Sequence, residues 1–304
     1  MTSDQGQWPN LFIIGAPKCG TTSIAEWLAQ HSDVHMSHPK EPGYFNDDYK
    51  DGHFRRRPKR FKKLFAEAGD KTWRCDGTVD YLASDVAVPN IVKVAPDAKF
   101  IVAVRNHADL VFSLHQEERV SGNELVSDFK TAFELSSERR AGRKIPITGP
   151  ERRKIDYEKR VEMGAQLERA LKHIRRDQLL LIDFDMLKKD SSAVWAEICK
   201  FLGVEAEPVS LVSSNPRKSI SSVPVTILRK YLRRIKRTIG ATSDYGLSKP
   251  VRNMAVSVDQ DRPVLADDLR KSITEKYSSD LALLRTVANS GNSILLKNGW
   301  LDHG

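Results

Sequence analysis

The opening of the chain constrains its fold most. Leu11-Phe12-Ile13-Ile14 is an uninterrupted apolar run ending at Gly15, the pattern of a strand buried on both faces of a parallel sheet. Residues 16–23 are small and polar, and Ile24, Trp27 and Leu28 then recur at helical spacing. Strand, short loop and helix in that order begin a βαβ unit. Two further buried runs follow the same logic. Lys99-Phe100-Ile101-Val102-Ala103-Val104 stops at Arg105, and Leu179-Leu180-Leu181-Ile182 stops at Asp183-Phe184-Asp185. Helical periodicity lies at 87–94, 108–119 and 157–174. Alternating strands and helices predict a three-layer, P-loop-like α/β fold with a mostly parallel central sheet flanked by helices.

Two stretches break this rhythm. Residues 47–60 are polar, aromatic and basic, and read as an exposed loop before a short helix. Residues 136–158 are charged and carry Gly142, Pro146, Gly149 and Pro150, and read as a mobile insertion of the length that usually has a function. No repeat or clean linker divides the chain, so residues 1–304 read as one domain with a polar tail at 1–10.

Composition narrows the partners. With 40% hydrophobic and 29% charged residues, the 304-residue chain is of the soluble globular class. A net charge of +9 favours an anionic partner: nucleic acid, a phosphorylated cofactor, an acidic glycan or a membrane face. The basic residues are scattered and no nucleic-acid-binding signature appears, which argues against nucleic acid. Cys19, Cys75 and Cys199 are too few and odd in number for a disulfide framework, as in a reducing compartment. The first ten residues lack the basic and apolar regions of a secretory leader, and the apolar runs are too short to span a bilayer. These features predict a cytoplasmic protein. Residues 223–239 interleave six cations with Ile227, Leu228, Tyr231, Leu232, Ile235 and Ile239. That is a basic amphipathic helix, suited either to core packing with a solvated basic face or to peripheral contact with the inner face of a membrane.

The loop after the first strand carries the chemistry. Pro17-Lys18-Cys19-Gly20-Thr21-Thr22-Ser23 places a full positive charge and three hydroxyls where backbone N–H groups and a helix dipole already favour an anion. An ordinary strand–helix turn explains the Thr and Ser as caps, but not the lysine with them. The nucleoside triphosphatase loop requires Gly-Lys-[Ser/Thr]. Here Thr21 follows Gly20 and the lysine lies two residues before it, which suits a single phosphosulfate better than a triphosphate with its metal.

In these residues the chain resembles the PAPS-dependent sulfotransferases (PAPS is 3′-phosphoadenosine 5′-phosphosulfate), in particular the bacterial and carbohydrate-type branches. Residues 17–23 are similar to that family's 5′-phosphosulfate loop. The resemblance implies that Lys18 stabilises the leaving phosphate. Arg105-Asn106-His107-Ala108-Asp109-Leu110-Val111-Phe112-Ser113 resembles the family's 3′-phosphate site, R-[D/N]-P-x-x-R-x-x-S. Arg105, Asn106 and Ser113 match, while His107 replaces the usual proline and Leu110 the second arginine. The implied role of Arg105 and Ser113 is to hold the 3′-phosphate. Arg217 and Lys218 resemble, more loosely, a late basic segment that closes over the same group; a solvated basic loop reads equally well there.

Sulfonate transfer is an in-line displacement that needs a base for the acceptor and positive charge on the departing phosphate, but no metal. Glu41, in Lys40-Glu41-Pro42-Gly43-Tyr44-Phe45, resembles the family's glutamate facing the transferring group. Asp76, in Cys75-Asp76-Gly77-Thr78-Val79-Asp80-Tyr81, resembles a second acidic position beside the sulfonate, with aspartate for glutamate. Histidines 35, 38, 107 and 115 match no family motif. A carboxylate base needs a raised pKa, which burial beside Tyr44 and Phe45 would give Glu41 and Lys40 would oppose. The implied reaction moves sulfonate to an acceptor hydroxyl, on a carbohydrate or glycolipid, and releases PAP. Two other readings stay open: a magnesium-dependent P-loop kinase and a non-catalytic anion- or glycan-binding module.

Overall fold

The first strand forms where the apolar run predicts it. In the computed structural model, which describes residues 8–52, 54–211, 219–220, 256–257, 264–295 and 299–301, β1 (Leu11–Gly15) is buried at every position. It leads through the polar loop into α1 (Thr21–Gln30), then β2 (Val34–Met36), α2 (Pro58–Lys62), β3 (Trp73–Asp76), α3 (Ala87–Val94) and β4 (Lys99–Val104). Helices α4 (His107–Val120), α5 (Phe129–Glu134), α6 (Ser136–Arg140), α7 (Tyr157–Arg160) and α8 (Met163–Ala170) precede β5 (Leu179–Asp183), α9 (Phe184–Lys189) and α10 (Ser191–Leu202). After them come β6 (Ser219–Ile220), β7 (Val256–Ser257), α11 (Asp267–Lys276), α12 (Ser278–Asn289) and β8 (Ser293–Ile294).

The described chain falls into two units. The first comprises residues 1–107, 162–214 and 275–304. It holds a six-stranded sheet in the order β2-β3-β1-β4-β5-β8, and every neighbouring pair is parallel. Burial on both faces explains why β1, β4 and β5 carry almost no polar residue. Phe12 and Phe100 are paired across β1 and β4 and stack at 5.6 Å. The chain leaves β1 toward one edge and crosses back to β4 on its other side, so the carboxyl ends of β1 and β4 flank a topological switch point, where ligands of such sheets bind.

The helix pattern at 157–174 resolves into α7 and α8, with the boundary between the units falling at 161/162. The second helix starts where it does because Asp280 accepts its leading N–H groups, from Gly164 at 3.0 Å and Ala165 at 2.9 Å. A Cβ on Gly164 would come within 2.2 Å of the Asp280 carbonyl oxygen, so only glycine lets α8 and α12 approach this closely.

The second unit comprises residues 108–161 and 215–274. The stretch at 136–158, expected to be an insertion without regular structure, contains α6 and a 3-10 turn at Arg152–Lys154. Its Arg139 is fully buried and pairs with Glu124 at 2.6 Å, while Tyr157 donates to the same carboxylate at 3.1 Å. Periodicity does not reveal this element because its inward residue is an arginine. Among the described residues, no helix is long and apolar enough to cross a membrane.

Candidate active site

The polar loop turns sharply at the end of β1. The Ala16 N–H donates to the Ala103 carbonyl at 2.7 Å, tying the loop to β4. Lys18 has φ 63° and Gly20 has φ 82°, two left-handed residues in three, the kind of turn in which backbone N–H groups line a concave anion site. A left-handed lysine costs energy that a glycine would not. The φ of Gly20 favours glycine, and a Cβ there would lie 2.5 Å from Leu187 Cδ2, which would have to shift. Lys18 is exposed and Cys19 buried; burial pushes the Cys19 thiol well above its ordinary range. Gly20 leads α1 without a side-chain cap or an acidic residue in the first turn, leaving the positive end of the helix toward the loop.

Arg105 stands at the carboxyl end of β4, the strand paired with β1. Its Nη1 donates to the Lys18 carbonyl at 3.5 Å, and its guanidinium lies 5.0 Å from the centre of the Phe184 ring. Lys188 Nζ reaches the same ring at 5.0 Å. Phe184, the first residue of α9, is therefore a shelf for two cations. The sequence gives no sign of that role, because a lone aromatic after a strand reads as core. Ser113 is half-buried on α4 in the second unit. Arg217, Lys218 and the amphipathic stretch at 223–239 lie outside the described residues.

The two acidic candidates differ sharply in setting. Lys40 Nζ is 3.1 Å from Glu41 Oε1 and 3.5 Å from Thr21 Oγ1, which links Glu41 to the first residue of α1 through one ammonium. Glu41 is exposed, so the expected burial beside Tyr44 and Phe45 does not occur. Asp76 is the buried acid, with no exposed surface. Its Oδ1 accepts from Thr78 N at 3.0 Å and Thr78 Oγ1 at 2.7 Å, and its Oδ2 from the Tyr81 hydroxyl at 2.8 Å. Burial pushes its pKa up to about 7 against the opposing pull of these bonds, and the nearby Glu41 charge adds to the rise. The Asp76 segment in turn holds the Glu41 loop: Gly77 N donates to Lys40 O at 3.0 Å and Gly43 N to Thr78 Oγ1 at 3.1 Å. Lys40, Thr78 and Tyr81 are thus site-building residues that sequence reasoning did not single out. Only the Lys-Glu adjacency pointed toward the first.

Three of the four histidines have partners of their own, and His38 is exposed. His35 Nε2 meets the Leu64 carbonyl at 2.8 Å and His115 Nε2 the Val126 carbonyl at 3.0 Å, while His107 bonds Asp280. Burial lowers the His115 pKa.

The residues brought together are therefore Lys18, Thr21, Lys40, Glu41 and Arg105, around a loop built to receive an anion. Comparisons with known proteins agree with that chemistry. Residues 9–223 match the family described as the sulfotransferase domain. A 204-residue stretch, 65% of the chain, is 24% identical to the bifunctional heparan sulfate N-deacetylase/N-sulfotransferase 1 of Xenopus tropicalis. Similarly, 205 residues are 26% identical to human bifunctional heparan sulfate N-deacetylase/N-sulfotransferase 3. The chain spans 22% of the length of these relatives. The fold is similar to that of the crystal structure of a sulfotransferase from Alicyclobacillus acidocaldarius, with TM-score 0.63 and 22% identity over 92% of this chain and 95% of that one. With well over half of its residues matched, the chain belongs to the PAPS-dependent sulfotransferase family.

Proposed function

We propose that this chain moves sulfonate from PAPS to a hydroxyl of a carbohydrate or glycolipid acceptor, releasing PAP. The observation that carries the reading is the placement of Lys18 and Arg105 at the carboxyl ends of paired parallel strands, in contact at 3.5 Å. Lys18 and the loop amides would hold the 5′-phosphosulfate and neutralise charge gathering on the leaving phosphate. Thr21, Thr22 and Ser23 supply hydroxyl donors from the start of α1, while Pro17, Cys19 and Gly20 shape the turn. Arg105 suits the 3′-phosphate, since a guanidinium fork matches its oxygens. Glu41 is the accessible carboxylate and takes the acceptor proton. Asp76, its oxygens engaged by Thr78 and Tyr81, holds the segment on which Glu41 sits.

Two relatives named for heparan sulfate support a glycan acceptor. They also make an amine, alongside a hydroxyl, the acceptor group to test. The missing Gly-Lys pair speaks against the kinase reading.

The test is calorimetric titration of PAP and of ATP into wild type and Lys18→Ala without magnesium. Micromolar PAP binding that Lys18→Ala weakens by about tenfold or more supports the reading. ATP binding that appears only with magnesium, and no PAP binding, overturns it. Transfer of labelled sulfonate to hydroxyl- and amine-bearing oligosaccharides then identifies the acceptor group.

A further inference from the structure

Arg105 and Asn106 form a two-residue turn between the end of β4 at Val104 and the start of α4 at His107. The near side of that turn is fixed by the sheet, since Val104 pairs with Asp183 on β5. The far side is fixed by His107, which is 3% exposed. Its Nε2 lies 2.8 Å from Asp280 Oδ2. An ionised carboxylate only accepts, so Nε2 carries the hydrogen. The imidazole also stacks on Tyr277 at 5.3 Å and 6° and meets Trp300 edge-on at 6.2 Å. Asp280 is itself held by the Gly164 and Ala165 N–H groups of α8. Trp300 Nε1 donates to Asp183 Oδ1 at 3.1 Å. Residues from the C-terminal part of the chain thus grip the ends of both β4 and β5.

A proline at position 107 would restrain the turn through its own ring. A histidine has no internal restraint, and here the restraint is external. We infer that Asp280, acting through His107, is a positioning residue for Arg105. Helix α12, outside the stretch matched by the family, is by this inference part of the donor site. The inference rests on the donor reading above and adds to it the device that aims the arginine.

The test measures the affinities of PAP and 5′-AMP, which differ by the 3′-phosphate, in wild type, His107→Ala and His107→Pro, with a thermal melt of each. His107→Ala is expected to weaken PAP by about tenfold with 5′-AMP unchanged. His107→Pro discards the Asp280 contact but restores an internal restraint at a helix start, where proline is tolerated, and is expected to recover the PAP preference. If either variant fails to fold, His107→Gln, whose amide N–H can still donate to Asp280, is expected to keep the preference. An unchanged PAP to 5′-AMP ratio in His107→Ala, or equal losses for both nucleotides, overturns the inference, as does His107→Pro behaving like His107→Ala. A wild type that binds 5′-AMP as well as PAP overturns both the inference and the assignment of Arg105. A wild type that binds neither removes the donor reading, and the inference with it.

Discussion

The Tyr81 hydroxyl donates to Asp76 Oδ2 at 2.8 Å, and its oxygen accepts the backbone N–H groups of Tyr44 at 3.0 Å and Phe45 at 3.3 Å. One phenol therefore joins the buried acid to the loop that carries Glu41. Tyr81→Phe leaves two N–H groups and a carboxylate oxygen without this partner, and is expected to cost about 1–3 kcal/mol. The loss should be larger at pH 8, where Asp76 is ionised, than at pH 5. Denaturant unfolding at the two pH values checks both the size and the order.

The Asp76 carboxyl, raised from 3.8 to about 7, makes stability depend on pH in a definite direction. Between those two values the folded chain holds a proton that the unfolded chain has lost, so stability falls as pH rises through the window. Asp76→Asn removes this titration. The stability of wild type relative to Asp76→Asn is expected to decline from about pH 4 to about pH 7, with a slope approaching 1.4 kcal/mol per pH unit. Parallel profiles for the two proteins would remove the assignment.

Glu41→Gln keeps the shape of the side chain and removes its basicity. Turnover is expected to drop by about 10²–10³-fold, while PAP affinity and thermal stability stay near wild type. Steady-state kinetics with calorimetric PAP titration separates the two. A loss confined to PAP binding would assign Glu41 to the donor site instead.

Gly20→Ala meets two obstacles at once, the φ of 82° and a contact at 2.5 Å with Leu187 Cδ2. The melting temperature should fall by more than an ordinary surface change produces, with a loss of about 2 kcal/mol or more. Adding Leu187→Ala to Gly20→Ala relieves the contact but not the backbone strain. The double variant should therefore still melt below Leu187→Ala alone.

In the second unit, Glu124 and Arg139 are both fully buried and 2.6 Å apart. Glu124→Gln leaves the guanidinium without its counter-charge and should cost about 3–5 kcal/mol, whereas replacing both residues with apolar side chains of similar volume should cost much less. Chemical unfolding of the three proteins checks the contrast.

What the sequence disclosed follows from where each residue's partners lie. β1, β4 and β5 are legible because strands buried on both faces are apolar along nearly all of their length. β2, β3 and β8 are not, since Val-His-Met, Trp-Arg-Cys-Asp and Ser-Ile lack both a run and a clear alternation. The loop after β1 is legible because its residues are local, a lysine and three hydroxyls within eight residues of Gly15. Position 107 shows only as a departure from a motif. The residue that gives it meaning is 173 positions further on. The motifs point to both acids, but burial and hydrogen bonding separate them: Glu41 faces solvent, and Asp76 is walled in by Thr78 and Tyr81, which no periodicity reveals.

The pairing of β8 with β5, through Leu181 with Ser293 and Ile182 with Ile294, bears on how the chain can be divided. A fragment ending at residue 223, where the family match ends, would retain the loops after β1 and β4 and still lose this strand. β5, apolar from Leu179 to Ile182, would then become an open sheet edge, free to recruit a strand from another molecule. A trimmed protein of this kind should precipitate rather than lose only catalysis.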